Sequence, residues 1–279
     1  MENYLNIAIL DMYNNHPNEG MRCILQIIHA FLGEEQIRGN YKIYNVRAKN
    51  EFPVIQDYDI FISTGGPGSP HPVGEEWEKN YFQFLDDIYY HNKYNHTKKF
   101  LFLICHSFQM ACIHWDLATV NKRRSTSFGV MPIHRTELGF HESIFEGLPE
   151  PFYAVDSRDY QVISPKYENL EKMGAKLLCL EKIRPHVDLE RAIMCIRFTP
   201  EIFGTQFHPE ADSVGMLHYF QTEEKRKLII ETHGEAKYKE MMERLDDPDK
   251  IKLTEATIIP NFLRNAAENL LGVVLSEVS

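Results

Sequence analysis

Residues Leu101–Gln109 read LFLICHSFQ, an apolar run that ends in a cysteine and continues into a helix-forming stretch. Phe100–Ile104 predicts a buried strand, because a short continuous apolar run is typical of the core of a parallel sheet. The residues near Phe108–Trp115 predict the helix that follows. A side chain at such a junction lies at the carboxyl edge of the sheet, where α/β proteins bind ligands. Cys105 is therefore a candidate nucleophile, because a helix N-terminus stabilises a thiolate.

The sequence before this stretch alternates between strand and helix patterns. Short apolar runs predict three further strands, and apolar residues at helical spacing predict two helices. Strands that alternate with helices indicate an α/β fold, a doubly wound, mostly parallel sheet flanked by helices. The predicted strands are Asn6–Met12, Tyr41–Val46 and Tyr58–Ser63, and the predicted helices are Met21–Leu32 and Trp77–His91.

The pattern changes between residues 120 and 198, where shorter apolar runs are separated by turn residues. Such spacing is typical of antiparallel strands, and we expect a small antiparallel extension of the main sheet. The predicted strands are Gly129–His134, Phe152–Val155, Ala175–Leu180 and Ala192–Arg197.

The C-terminal part of the chain predicts helices. Glu223–Leu245 mixes charged and apolar residues, and Ile258–Leu271 predicts a final amphipathic helix with a proline near its start. We therefore expect a main domain over residues 1–211, a helical insertion over 212–256 that serves as a lid or an interface, and a C-terminal helix within 257–279 that packs back on the main domain.

Composition argues against several classes of function. The 279 residues include 30 basic and 40 acidic ones, a net charge of −10, whereas nucleic-acid binding requires clustered Lys and Arg. No apolar run reaches the ~20 residues that cross a bilayer, and the N-terminus lacks the features of a signal peptide. We expect a cytoplasmic protein that binds neither nucleic acid nor a membrane.

The five cysteines are scattered, and none forms a CxxC pair. This pattern argues against a disulfide framework and against structural zinc. The thirteen histidines form no HExxH motif and no Cys/His cluster. We expect no metal site and no cofactor, and a reducing setting that keeps a thiol nucleophile active.

A second segment, Gly204–Glu210, reads GTQFHPE and offers a histidine at the end of an apolar strand. A carboxylate two residues later can hold the tautomer of the imidazole, while the other ring nitrogen accepts a proton from a thiol. Taken separately, Cys105 could be a buried packing residue and the second segment a turn before a helix. Taken together, they predict Cys105 as the nucleophile, His208 as the base and Glu210 as its partner.

A third segment, Thr64–Pro70, reads TGGPGSP and follows the predicted strand before Cys105. Glycines allow a backbone to turn its N–H groups inward, as an oxyanion hole requires. The N–H groups of Gly66 and His106 are the candidate donors.

These segments resemble the class I (triad) glutamine amidotransferases, which carry a GGP loop, a GxCxGxQ-like nucleophile turn and a late FHPE. The resemblance covers roughly residues 5–211 of this chain. Within the family, the sequence most resembles the glutaminase domain of GMP synthase. It implies a flavodoxin-like class I glutaminase fold, with Cys105, His208 and Glu210 in the roles given above. It also implies that Gln109 contacts substrate and that loops at Phe128-Gly129 and Ser157–Asp159 line the substrate site.

The sequence departs from the family pattern in three places. Leu103 and Ser107 stand where the family has glycines, two residues before and after the cysteine. A leucine there requires extra room or a shifted helix. Ser157-Arg158-Asp159 stands where the family usually has an SH motif. These changes leave the three expected catalytic residues intact and bear on the substrate more than on the reaction.

The resemblance also implies a reaction and its partners. Cys105 would attack the side-chain amide of glutamine or of another γ-glutamyl amide, release ammonia and form a cysteinyl thioester. The chain has no SGGxDS pyrophosphatase loop and no Walker motif, so either an ammonia-accepting synthetase in trans or plain amide hydrolysis would complete the reaction. A homodimer is among the assemblies that the sequence leaves open.

Two alternatives remain at this point. Intracellular peptidase-like proteins related to DJ-1 place a histidine directly after the cysteine, so such an enzyme would use Cys105 and His106 without His208. The other alternative is a catalytically silent protein that binds glutamine as a regulator.

Overall fold

The structure, a computed structural model, describes residues 4–34, 37–186, 188–272 and 274–275, without the side chains at several positions between 219 and 249. Within these residues the chain forms one mixed sheet with helices on both faces. The strands are β1 (Tyr4–Asp11), β2 (Arg38–Asn45), β3 (Ile60–Ser63), β4 (Phe100–Ile104), β5 (Ala118–Arg135), β6 (Phe152–Pro165), β7 (Lys176–Glu181), β8 (Ile193–Arg197) and β9 (Ile202–Thr205).

The described helices include three short turns of the 3₁₀ type and one π-type turn. The α-helices are α1 (Gly20–Leu32), α2 (Val46–Lys49), α3 (Glu76–Tyr94), α4 (His106–His114), α5 (Tyr167–Met173), α6 (Ser213–Gln221), α7 (Glu223–His233), α8 (Glu235–Asp246) and α9 (Leu253–Leu271). The 3₁₀ turns are Ile55–Asp57, Leu138–His141 and Ser143–Phe145, and the π-type turn is Pro248–Lys252.

The parallel half of the sheet has the strand order β2-β1-β3-β4-β9. Its central strands β3 and β4 are buried at every residue, because helices cover both faces, as is usual for parallel sheets. Apolar residues of α1 and α9 pack on one face, and those of α3 and α4 pack on the other. The predicted doubly wound α/β fold is confirmed.

The antiparallel half continues the same sheet as β9-β8-β7-β5-β6. Two of its strands are much longer than the sequence predicted, since β5 has 18 residues and β6 has 14. The polar stretch between Asn121 and Thr126 carries no apolar pattern, and a register shift interrupts its pairing between Lys122 and Ser127. Pairing with a partner strand, rather than local hydrophobicity, therefore extends these strands.

The C-terminal helices differ in detail from the sequence prediction. Gly234, with a positive φ of 85°, divides the expected helical stretch into α7 and α8. The last helix begins at Leu253, so Pro260 lies within α9 rather than near its start. The expected division at residues 211 and 256 remains a prediction, and residues 1–3 and 276–279 of that division lie outside the described residues.

No helix in the described part of the chain is both long and apolar enough to span a bilayer. The five cysteines, all within that part, are free thiols and buried.

The strand pair β4–β9 explains how Leu103 fits where the family has glycine. Leu103 lies directly opposite Gly204 in the register of these two strands. A Cβ atom at Gly204 would lie 2.8 Å from Cδ2 of Phe108, 2.9 Å from Cε2 of Phe198 and 3.3 Å from Cβ of Leu103. The absence of a side chain at Gly204 thus provides the room that Leu103 requires.

Gly204→Ala is therefore expected to destabilise the protein. The added methyl group would press two ring systems that are fully buried, and overpacking of this kind costs about 1–3 kcal/mol in the free energy of unfolding. Urea denaturation of the variant and the wild type measures this difference. A decrease in the free energy of unfolding of less than about 0.5 kcal/mol, the usual range of a neutral surface change, would show that the core around Leu103 can accommodate the methyl group.

Candidate active site

Cys105 lies at a strained turn between β4 and α4. Its backbone has φ 47° and ψ −95°, a positive φ that costs a non-glycine residue of order 1–3 kcal/mol. The turn is held from both sides, because the Cys105 N–H donates to the carbonyl of Thr205 at 2.7 Å and the N–H of Gln109 donates to the Cys105 carbonyl at 2.9 Å. Such an elbow places a nucleophile at the edge of the sheet, above the start of a helix.

Ser107, the second departure from the family pattern, lies in a buried hydrogen-bond network. Its hydroxyl donates to the carbonyl of Thr64 at 2.6 Å, and the Ser63 hydroxyl lies 2.7 Å from it. The hydroxyl of Tyr81 lies 2.8 Å from Ser63. Ser107 therefore connects α4 to the end of β3, where the TGGPG loop begins. The serine makes hydrogen bonds that a glycine at this position could not make.

The end of β9 supplies the histidine and the carboxylate. Nδ1 of His208 lies 2.8 Å from Oε1 of Glu210, and the imidazole and the Cys105 side chain line the same cleft. The Glu210 side chain is 1% exposed, whereas that of His208 is 16% exposed. The structure thus brings the three predicted residues together, with the imidazole between the thiol and the carboxylate.

The charge state of His208 follows from these neighbours. Burial lowers its pKa, but the charge of Glu210, the charge of a Cys105 thiolate and hydrogen bonds to both side chains raise it, and the net pKa lies well above 6.5. The imidazole is therefore suited to accept and keep a proton from the thiol.

The loop after β3 lies against this group. A Cβ atom at Gly65 would lie 2.9 Å from Cε1 of His208 and 3.6 Å from Cβ of Cys105. A Cβ atom at Gly66 would lie 2.4 Å from the carbonyl oxygen of Met12. Both positions exclude a side chain, which lets the backbone approach the thiol closely.

Arg47 holds the loop in place. Its Nη1 donates to the carbonyl oxygens of Met12 at 3.2 Å and Pro67 at 2.6 Å, and its guanidinium lies 5.2 Å from the ring centroid of Trp77. The predicted oxyanion donors, the N–H groups of Gly66 and His106, thus lie on a fixed loop and on the first turn of α4, whose leading N–H groups have no partner within the helix.

The side chain of His106 occupies a different environment from that of His208. It is buried, and its Nε2 has no hydrogen-bond partner among the described residues. Burial, and secondly the charge of Arg47, lower its pKa to about 3. This imidazole is a poor proton acceptor at neutral pH, which disfavours a Cys105–His106 dyad.

A cleft of about 690 Å³ opens above Cys105. The three predicted substrate-binding residues, Gln109, Phe128 and Ser157, all line this cleft. Phe128 and Ser157 lie opposite each other in the β5–β6 pair. The wall also contains apolar and aromatic side chains from other elements. The lining includes Tyr13, Gln109, Phe128, Ser157, Tyr160 and Ile229.

Gln109 is connected to the thiol through a residue that the sequence prediction missed. Its Nε2 donates to Oε1 of Gln206 at 3.1 Å, and Nε2 of Gln206 lies 3.7 Å from Sγ of Cys105. Its position two residues before His208, within the GTQFHPE segment, could have indicated that Gln206 lies near the thiol. Gly65 and Arg47 were also missed, because only tertiary contacts reveal their roles.

Among the residues that the structure describes, no group of three or more His, Cys, Asp or Glu side chains could hold a metal ion.

Comparison with known families identifies the class of protein. A family model described as glutamine amidotransferase class-I matches residues 27–222, more than half of the chain. The chain therefore belongs to this family, which is generally one of amidotransferase and hydrolase enzymes, and the resemblance seen in the sequence is confirmed. No curated protein sequence is significantly similar to the chain.

Solved structures share the fold at low sequence identity. A glutamine amidotransferase from Thermotoga maritima has a TM-score of 0.66 and 12% identity, covering 95% of this chain and 98% of its own. A glutamine amidotransferase from Methylobacillus flagellatus has a TM-score of 0.62 and 13% identity, with coverages of 99% and 97%. A protein from Thermoplasma acidophilum, described as a putative subunit of GMP synthase, has a TM-score of 0.51 and 17% identity, with coverages of 86% and 98%.

Glu210→Gln tests the charge at His208. Because the folded-state pKa of His208 is raised, the stability that its protonated form contributes is fully present below the unfolded pKa of about 6.5 and is lost as the pH rises through the folded value. We expect Glu210→Gln to reduce the free energy of unfolding more near pH 6 than near pH 9.5, as measured by urea denaturation. Equal losses at both pH values would mean that the carboxylate does not stabilise the imidazolium.

Proposed function

We propose that this protein is a glutamine amidotransferase that hydrolyses the side-chain amide of glutamine through a Cys105 thioester and delivers ammonia to an acceptor in trans. The position of one imidazole, His208, carries the proposal: it lies 2.8 Å from the carboxylate of Glu210 and lines the same cleft as Cys105. Family membership supports the reaction class. The free thiols support a reducing, cytoplasmic setting.

The geometry supports the following steps. His208 takes the proton of Cys105, and the thiolate attacks the γ-carbonyl carbon of glutamine. The N–H groups of Gly66 and His106 stabilise the resulting oxyanion. His208 then gives its proton to the departing nitrogen, which leaves as ammonia. The same imidazole activates a water molecule that hydrolyses the thioester, releasing glutamate and restoring the thiol.

The helical insertion forms part of the same site in this proposal. Ile229 of α7 lines the cleft with Cys105, and it packs in a small cluster with Val130 and Val155 of the antiparallel strands. An ion pair between Arg22 of α1 and Asp212, with distances of 2.7 and 2.9 Å, fixes the chain where the insertion begins. This placement supports a capping role over bound substrate.

Three variants distinguish the proposal from the Cys105–His106 alternative. Cys105→Ser and His208→Ala are each expected to lower the kcat of glutamine hydrolysis by at least about 10³-fold, because the first replaces the thiolate nucleophile with a far less acidic hydroxyl and the second removes the base that acts as one unit with it. His106→Gln keeps the backbone N–H and is expected to stay within about tenfold of wild type. Coupled detection of glutamate and ammonia measures all three. Activity that survives loss of His208 but not of His106 would overturn the proposal.

Trapping of the intermediate separates an enzyme from a silent glutamine-binding protein. Rapid acid quenching of the protein with glutamine should leave a glutamyl adduct on the peptide that contains Cys105, detected by mass spectrometry. The adduct should disappear in Cys105→Ser. Saturable glutamine binding without adduct or product would support the regulatory alternative instead.

Gly65→Ala tests the close approach of the loop to the imidazole. The added methyl group would lie 2.9 Å from Cε1 of His208 and would displace the ring from the thiol. A misplacement of this size is expected to lower kcat about 10- to 100-fold, with little change in the melting temperature. Unchanged kcat in a folded variant would show that His208 tolerates the shift.

A further inference from the structure

Strand β6 contacts both the thiol and the histidine. The carbonyl oxygen of Ser157 accepts a hydrogen bond from Sγ of Cys105 at 3.8 Å. The carbonyl oxygen of Val155 accepts one from the backbone N–H of His208 at 2.8 Å, in an isolated antiparallel bridge. These two carbonyl groups are two residues apart on one strand, so the backbone of residues 155–157 spans the distance between the nucleophile and the base.

The other face of this strand carries a buried ion pair. Nε of Arg158 donates to both carboxylate oxygens of Asp156, at 2.8 and 3.0 Å, and both side chains are 1% exposed. Ser127 of β5 donates its hydroxyl to Asp156 at 2.6 Å, and Nη2 of Arg158 lies 3.3 Å from Oε1 of Glu181. Because side chains alternate along a strand, these groups lie on the face opposite to Val155 and Ser157.

Stability alone does not account for this pair. Desolvating two charges often costs as much as their attraction returns, and apolar residues of similar volume commonly serve a core at least as well. A guanidinium that donates hydrogen bonds to a carboxylate on β6 and lies 3.3 Å from another on β7 does, however, fix geometry more narrowly than apolar contacts do. The feature that such a fixed geometry would serve is the pair of carbonyl contacts that Val155 and Ser157 of the same strand make with His208 and Cys105.

We propose that Asp156 and Arg158 are positioning residues, whose buried ion pair fixes β6 so that its carbonyl groups hold Cys105 and His208 at the separation required for proton transfer. The inference rests on the proposed function for its role in turnover. It concerns the Cys105–His208 pair itself, however, and a measurement on the thiol that needs no glutamine can test it.

The test compares the double variant Asp156→Asn/Arg158→Gln with wild type and with Arg184→Gln. The double change removes both charges at once and keeps a polar side chain at each position. Arg184 is a matched control, because it also contacts Glu181, at 2.8 Å, but it follows β7 and not β6. The rate of alkylation of Cys105 by iodoacetamide is followed from about pH 5 to pH 9.5, because the thiolate and not the thiol is the reacting form.

In the double variant we expect alkylation near pH 6 to fall about tenfold while the rate near pH 9.5 stays close to wild type, because the thiolate forms less readily without an aligned imidazole. The kcat of glutamine hydrolysis should fall about 10- to 100-fold with KM within about threefold. The single variant Arg158→Lys keeps the positive charge, so its alkylation rate near pH 6 and its kcat should lie between those of the double variant and wild type. Arg184→Gln should match wild type.

An unchanged alkylation profile in the folded double variant would overturn the inference, and so would an equal change in Arg184→Gln. If the double variant does not fold, Ser127→Ala removes only the hydrogen bond to Asp156 and should shift the profile in the same direction by a smaller amount. No shift in a folded Ser127→Ala would then overturn it. The outcome could also be that the alkylation profiles of wild type and the double variant differ as expected while wild type does not hydrolyse glutamine. That result would refute the proposed function and would still support the positioning role.

Discussion

The parallel pairing of β4 with β9 is the constraint on which the site depends. Ile104 lies opposite Thr205 in this pair, and the N–H of Cys105 continues it by donating to the Thr205 carbonyl at 2.7 Å. Because parallel strands end at the same edge of a sheet, the cysteine after one strand and the histidine after the other meet there. A slip of the register by one residue would turn each side chain of β9 to the opposite face, and the site would be lost.

Close packing around this pair explains how the chain departs from its family without losing the fold. Leu103 fits because Gly204 on the adjacent strand carries no side chain, and a Cβ atom there would meet two phenylalanine rings. Ser107 takes the place of the other glycine and gains hydrogen bonds to the end of β3. The space for Leu103 and the hydrogen-bond partners of Ser107 both come from residues that are distant in sequence. Whether such a position accepts a substitution therefore depends on residues elsewhere in the chain.

Two histidines near one thiol show how environment assigns a role. His106 directly follows the cysteine but is buried without a partner, and its pKa is lowered to about 3, by burial and then by Arg47. His208 is also largely buried, yet the charges of Glu210 and Cys105 and hydrogen bonds to them outweigh that burial and raise its pKa. The same side chain is thus kept neutral at one position and made ready to carry a proton at the other.

The order of strands and helices along the parallel half of the chain, and the residue types at the candidate site, could be read from the sequence. Apolar runs marked the strands, and LFLICHSFQ, TGGPGSP and GTQFHPE marked the three loops, because local pattern and turn chemistry are written in neighbouring residues. The tertiary structure alone decided the length of β5 and β6, the connection of Gln109 to the thiol through Gln206, and the contacts of β6 with Cys105 and His208. Those features arise from pairing between distant strands, and the pattern of one segment carries no information about which partner it will meet.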